Sequence, residues 1–271
     1  MRNKGRWRYW LLWAIVAASV LGVALHEPTP QDARYHEFAD RRTVLGVPNF
    51  WNVISNVAFL IVGIAGLRAV RDKSGTPGPL QPLYPAYAVL FLGVIFVSFG
   101  SAYYHLALDN SSLTWDRLPM TLAFMAFLAV VIGERIDPHL GRRWLPFLLM
   151  LGVLSVAYWH FSELRGHGDL RPYGLVQFLP LALVLLITLL FPSPLSKPYS
   201  IWGMLAAYAA AKVLEVFDEN IFHALDIVSG HTLKHLTAAA GVFLLVLSIA
   251  ESSAGRRQSD VATPDRDSTA A

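Results

Sequence analysis

The apolar residues of this chain gather into long runs separated by short polar stretches. Runs long enough to cross about 30 Å of hydrocarbon lie near residues 9–25, 50–70, 84–107, 117–134, 144–162, 173–191, 199–216 and 231–250. The pattern predicts an all-α polytopic membrane bundle of eight helices, because a helix satisfies all its own backbone polar groups within one apolar span. Gly75, Pro77, Gly78, Pro79 and Pro82 punctuate the second connection, and Pro192, Pro194 and Pro198 the sixth, which is ordinary turn chemistry. The stretch from Ser252 to Ala271 is small, polar and charged, with no apolar period, and is predicted to be disordered.

Composition sharpens this picture. Of the 271 residues, 55% are apolar and 15% charged, and the mean hydropathy is +0.45. Apolar surface on that scale has to face lipid. The net charge of +3 does not indicate nucleic acid, since the Lys and Arg residues sit beside apolar runs rather than along one stripe. They set topology instead. The N-terminal Arg2, Lys4, Arg6 and Arg8, then Arg68, Arg71 and Lys73, then Arg135, Arg142 and Arg143, then Lys197, then Arg256 and Arg257 all fall on one side. The positive-inside rule makes that side cytoplasmic, together with both termini. Asp109, Asp116, Asp218, Glu219 and Asp226 fall on the opposite side, as do Arg34, Arg41, Arg42, Arg165 and Arg171. The first run follows basic residues as a secretory signal would, but no persuasive small-residue cleavage site comes after it, so it reads as a retained anchor. The eight Trp lie mostly near predicted helix ends, where an amphipathic indole belongs. With no cysteine, thiol catalysis, disulfides and Cys-ligated metals are excluded, and a transition metal would have to be held by His and carboxylates.

Ionisable groups inside apolar spans are costly and mark function. Here they cluster at the extracytoplasmic helix ends. Ser101 and His105 are four apart at the end of the third run, and His231 and His235 are four apart at the start of the last, so each pair shares one helix face. Two imidazoles on one turn chelate a metal, with zinc, haem iron or a transported ion all compatible with that spacing. A third imidazole, for which His105 lies at the right depth, completes a three-histidine set that leaves a position open for water, as catalytic zinc requires. Asp116, just before the fourth run, lies on the same side and suits a base for that water. Lys212 and Glu215, three apart, read as a mutually neutralising pair, and His160 as a further group able to meet a substrate hydroxyl.

These residues sit in stretches that resemble the alkaline ceramidase family, part of a superfamily of seven-helix membrane hydrolases that includes the adiponectin receptors. Phe50-Trp51-Asn52-Val53-Ile54-Ser55-Asn56 resembles the family's FxNTxSN, with Val53 for Thr, and Gly100 through His105 resembles its GSxxFH. Asp116 with Leu118-Pro119-Met120 resembles its D(E)LPM segment, and Gly230 through His235 its GHxxWH, with Lys234 in place of the aromatic. The resemblance runs from about Pro48 to Glu251 in matching order and spacing. It implies a seven-helix core preceded by one extra transmembrane helix: an N-terminal stub and added helix over 1–30, a ceramidase-like domain over 31–251, and a tail over 252–271. It implies zinc on His105, His231 and His235, Asp116 orienting the water, Ser101 in the active site, and hydrolysis of the N-acyl amide of a ceramide-like lipid drawn from the bilayer, giving a fatty acid and a long-chain amine. Calcium is not carried over. Asn49 stands where the family would place a glutamate ligand, and Glu37 and Asp40 do not reproduce its acidic loop.

The zinc constellation does not specify a sphingoid base, so a hydrolase of another N-acyl or ester lipid on the same scaffold is an alternative. A receptor-like protein would need an effector domain that the short loops do not supply, and a metal or proton transporter would spread its ionisable groups across both faces. Nothing in the pattern specifies an oligomeric state. Compact loops and the lack of a recognisable retention motif point to a bacterial inner membrane.

Overall fold

The computed structural model of the chain describes residues 5–75, 77–192, 195 and 197–251. The expected disorder of 252–271, the basic residues Arg2, Lys4, Arg256 and Arg257, and Pro194 lie outside those residues. Ten helices follow one another: α1 (Arg6–Leu25), α2 (Phe50–Ile54), α3 (Val57–Ser74), α4 (Tyr84–Leu106), α5 (Asn110–Arg135), α6 (Pro138–Leu164), α7 (Arg171–Leu190), α8 (Pro198–Val216), α9 (Asp218–Leu225) and α10 (Gly230–Glu251). No strand occurs among the described residues; the extended pairing there is a bridge between Val44 and Val47. Among the described residues seven spans are long and apolar enough to cross a membrane, α2 and α3 together forming one of them. The pair α8 and α9 passes the same test only when taken together, and it bends by 75° at Phe217, as a broken span or a re-entrant loop does. The chain is a multi-pass membrane protein with an all-α fold.

Every predicted run is helical, but one boundary moves in a way that matters. The fourth run was expected to open at residue 117, whereas α5 begins at Asn110. A capping box sets the start: the Asp109 carboxylate accepts from the Ser112 N–H at 2.7 Å, and the Ser112 hydroxyl accepts from the Asp109 N–H at 3.2 Å. The polar stretch Asn110-Ser111-Ser112 is therefore the first turn of the helix rather than loop. Asp116 lies six residues inside α5, about 9 Å along its axis.

Packing arranges the helices around α5, the most buried of the spans. On it pack α4, α6 and α7, while α3 joins α4 to α10 and α10 packs against α8. The ring is loosest between α7 and α8, which barely meet. Large apolar side chains such as Phe96, Phe99, Phe161 and Phe178 are more than half exposed around the outside, as a lipid-facing surface requires. Helix α1 buries none of its residues and lies against α7, with Trp13 tilted on Trp144 and Tyr9 on Phe191. Its end is tied by Arg171, which donates to the carbonyls of His26 and Val23 while pairing with Asp169. That pairing holds the Asp169 carboxyl at about 2, well below its ordinary value.

Residues 26–49 cross one end of the bundle and are fastened along their length. The Gln31 N–H donates to Glu163 at 2.7 Å, Arg117 donates to the Gln31 side chain at 2.6 Å, and His36 meets the Tyr104 hydroxyl at 2.9 Å. Farther along, Asp40 accepts from Arg42 at 2.7 Å, and Arg42 also donates to the Ile227 carbonyl at 2.6 Å. This crossing segment covers the end at which α4 finishes and α10 begins.

Candidate metal centre

His105 closes α4, and His231 and His235 open α10. The packing of both helices on α3 brings the three rings together. One nitrogen from each lies within 4.8 Å of the others, and all three residues are buried. Among the described residues this is the group that could hold a metal ion. The donor set fits zinc: three imidazoles, no thiolate, and room for a fourth ligand.

The groups behind the rings point the same way. The Ser55 hydroxyl donates to the Asn52 carbonyl at 3.1 Å, so its lone pair is left to accept from His235 Nδ1 at 2.8 Å. That fixes the tautomer and turns Nε2 into the site, the second-layer arrangement expected of a metal-bound histidine. His105 Nδ1 is buried with no hydrogen-bond partner, and ligation would give it one. The His231 backbone N–H donates to Asp218 at 2.6 Å, and the other oxygen of Asp218 accepts from the Ala39 N–H at 3.0 Å. One carboxylate thus anchors both the start of α10 and the crossing segment. Phe38 from that segment packs its ring 4.8 Å from His105 and 4.5 Å from His231, centroid to centroid, which shields the centre on that side.

An apolar cavity runs from this centre into the bundle. Ser101, Asp116, His231 and His235 line its polar end, and Leu90, Val94, Phe124, Phe127 and Met204 line its depth. Ser101 and Asp116 are buried and line the same cavity from α4 and α5. Close approach of α4 to α5 makes this possible. A Cβ on Gly100 would collide with the carbonyl oxygen of Trp115, the residue before Asp116, and glycine alone leaves that space free.

Of the five residues singled out by sequence, Ser101, Asp116, His231 and His235 line one cavity, and His105 is clustered with the two histidines among them. Others do not join them. His160 bonds to Thr114 at 2.9 Å and does not line the cavity. Of the two acidic residues considered for calcium, Asp40 is buried and its charge is balanced by Arg42 at 2.7 Å. Asn49 donates to the His105 carbonyl at 2.9 Å. Lys212 and Glu215 are paired as expected, but Lys234 joins them, donating to Glu215 at 3.0 Å.

Sequence reasoning attached no role to Ser55, Asn52 or Asp218. A signal existed: Asn52, Ser55 and Asn56 are three uncharged polar residues inside an apolar run, and a rule tuned to ionisable groups passes over them. Arg117, beside Asp116, was also missed. It is buried with its guanidinium 4.2 Å from the Trp159 ring centroid and 4.5 Å from that of Tyr173.

The fold and the site together define a multi-pass membrane protein with a buried three-histidine centre beside an apolar cavity. The family model described as ceramidase matches residues 46–262, most of the chain, and the protein belongs to the ceramidase family. It is thus a membrane hydrolase of the kind that acts on amide bonds. No curated protein matches the chain.

Proposed function

We propose that this protein is a zinc-dependent amidohydrolase that cleaves the N-acyl amide of ceramide-like lipids to a fatty acid and a long-chain amine. The observation that carries the reading is the buried cluster of His105, His231 and His235, two of whose members, His231 and His235, line an apolar cavity together with Asp116 and Ser101. The three histidines are the zinc ligands, and zinc bound there supplies Lewis acidity toward water and a carbonyl oxygen. Asp116 is the proton carrier. Its carboxylate takes a proton from the water as the C–O bond forms, and then gives that proton to the amide nitrogen, so that the C–N bond breaks and the amine leaves neutral. The Ser101 hydroxyl donates to the carbonyl oxygen as negative charge develops on it. The apolar walls hold the acyl chain and exclude bulk water, which strengthens both interactions.

The loose seam between α7 and α8 suits entry of a lipid from the bilayer, because cavity residues Gln177 and Tyr208 stand on those two helices. We assign the site to the extracytoplasmic face of a bacterial inner membrane. Arg68, Arg71, Arg135, Arg142 and Arg143 all lie at the helix ends away from the histidines, which supports cytoplasmic termini. The family match begins at residue 46, beyond α1, which supports reading α1 as an addition to a ceramidase-like domain over 31–251. A hydrolase of another N-acyl or ester lipid would use the same five residues.

Metal removal tests this reading. Protein purified in a mild detergent is expected to release fatty acid from ceramide, to lose that activity on treatment with 1,10-phenanthroline, and to regain it with Zn2+ but not with Ca2+. Full activity after the bound metal has been stripped would sink the proposal.

A further inference from the structure

The α8–α10 wall of the cavity carries a charge cluster that the amide chemistry does not use. Glu215 sits between two lysines, accepting from Lys212 with one carboxylate oxygen and from Lys234, at 3.0 Å, with the other. All three line the cavity. A pair that only neutralised charge would stop at Lys212 and Glu215, so the second ammonium is surplus to it. Each lysine lines the cavity and is partly exposed, 37% of the Lys212 side chain and 21% of the Lys234 side chain. An ammonium has three donors, and each lysine makes one of the hydrogen bonds described to Glu215. Donors remain for a ligand. The remaining charge on the lining is the Asp116 carboxylate, so the two lysines are cancelled by two acids. The charge of a dication on three neutral imidazoles is then left uncompensated in an apolar pocket.

The position along the bundle says which part of a lipid would meet this cluster. Lys212 lies four residues before the end of α8 and Lys234 four residues after the start of α10. Each is therefore about 6 Å inside the helix ends, level with the metal centre and well above the apolar depth of the cavity. A headgroup occupies that level and a tail does not. Neutral ceramide would leave the surplus donors and charge unmet. We propose that Lys212 and Lys234, held by Glu215, form an anion subsite that selects N-acyl lipids whose amine half carries a carboxylate or a phosphate. The choice of an N-acyl lipid rests on the amidohydrolase reading, and the charge balance rests on a dication at the three histidines; the spare donors of Lys212 and Lys234 rest on neither.

The test separates the two. The full chain, reconstituted in phosphatidylcholine nanodiscs, is titrated with fluorescent ceramide, ceramide 1-phosphate and N-hexadecanoyl-serine, and hydrolysis of each is followed in parallel. At least one anionic lipid is expected to bind about tenfold more tightly than ceramide, and whichever does identifies phosphate or carboxylate as the recognised group. Lys212→Met should remove that preference, and Lys212→Arg, which keeps the charge, should retain it. Anionic preference without hydrolysis of any lipid supports the subsite and overturns the hydrolase reading. Equal binding of all three lipids, or a Lys212→Met loss that is the same for neutral and anionic lipids, overturns the subsite even if ceramide is cleaved.

Discussion

Asp116→Asn is expected to lower kcat for ceramide hydrolysis by about a thousandfold while leaving zinc content and folding intact. The size follows from the role. General acid–base catalysis contributes about 10²–10⁴-fold, and Asp116 is asked to act twice, taking a proton from water and giving it to the amine. An asparagine has nearly the same shape and fills the same buried position, so packing gives no reason for the loss. Kinetics of the variant in the same detergent, with zinc measured on the same preparation, check this. A rise in KM with kcat unchanged would make Asp116 a binding residue, and activity within about tenfold of wild type would remove it from the chemistry.

Gly100→Ala is expected to be nearly as damaging, although it touches no reacting group. The added methyl would run into the Trp115 carbonyl oxygen, a backbone atom that cannot swing aside, so α4 and α5 must part. Overpacking of this kind costs about 1–3 kcal/mol. The larger consequence is geometric. Gly100 precedes Ser101 and Trp115 precedes Asp116, so the forced shift falls between the two residues that must act on the same amide. A displacement of about 1 Å at a reacting constellation costs about 10²-fold in rate. Gly22→Ala in α1, where nothing lies within 4 Å of the new carbon, is the control and should leave the rate unchanged and not lower the melting temperature. Equal behaviour of the two variants would contradict the close α4–α5 crossing as the device that builds the site.

Much of this architecture is legible in the sequence because its signals are local. A run of twenty apolar residues declares a span without reference to anything else, and the His231/His235 and Ser101/His105 pairs declare shared faces through helical periodicity alone. Two kinds of feature are not local. Where α5 begins depends on a capping box, and reading Asn110-Ser111-Ser112 as loop moved Asp116 out of the helix that positions it. The supports of the metal centre come from far along the chain. Ser55 reaches His235 across 180 residues and Asp218 ties Ala39 to His231, contacts that no spacing rule predicts. The third member of the Lys212–Glu215 pair was hidden for the same reason, because Lys234 belongs to a different helix.

The central claim is that the three buried imidazoles hold a zinc ion on which amide cleavage depends. Inductively coupled plasma mass spectrometry on wild type and His231→Ala/His235→Ala, with fatty acid release from ceramide assayed on the same samples, tests it most directly. Wild type should carry about one zinc per chain, and the double variant should lose both zinc and activity while still eluting as a folded protein. A folded, active wild type without zinc, or a double variant that keeps its activity, would contradict the account.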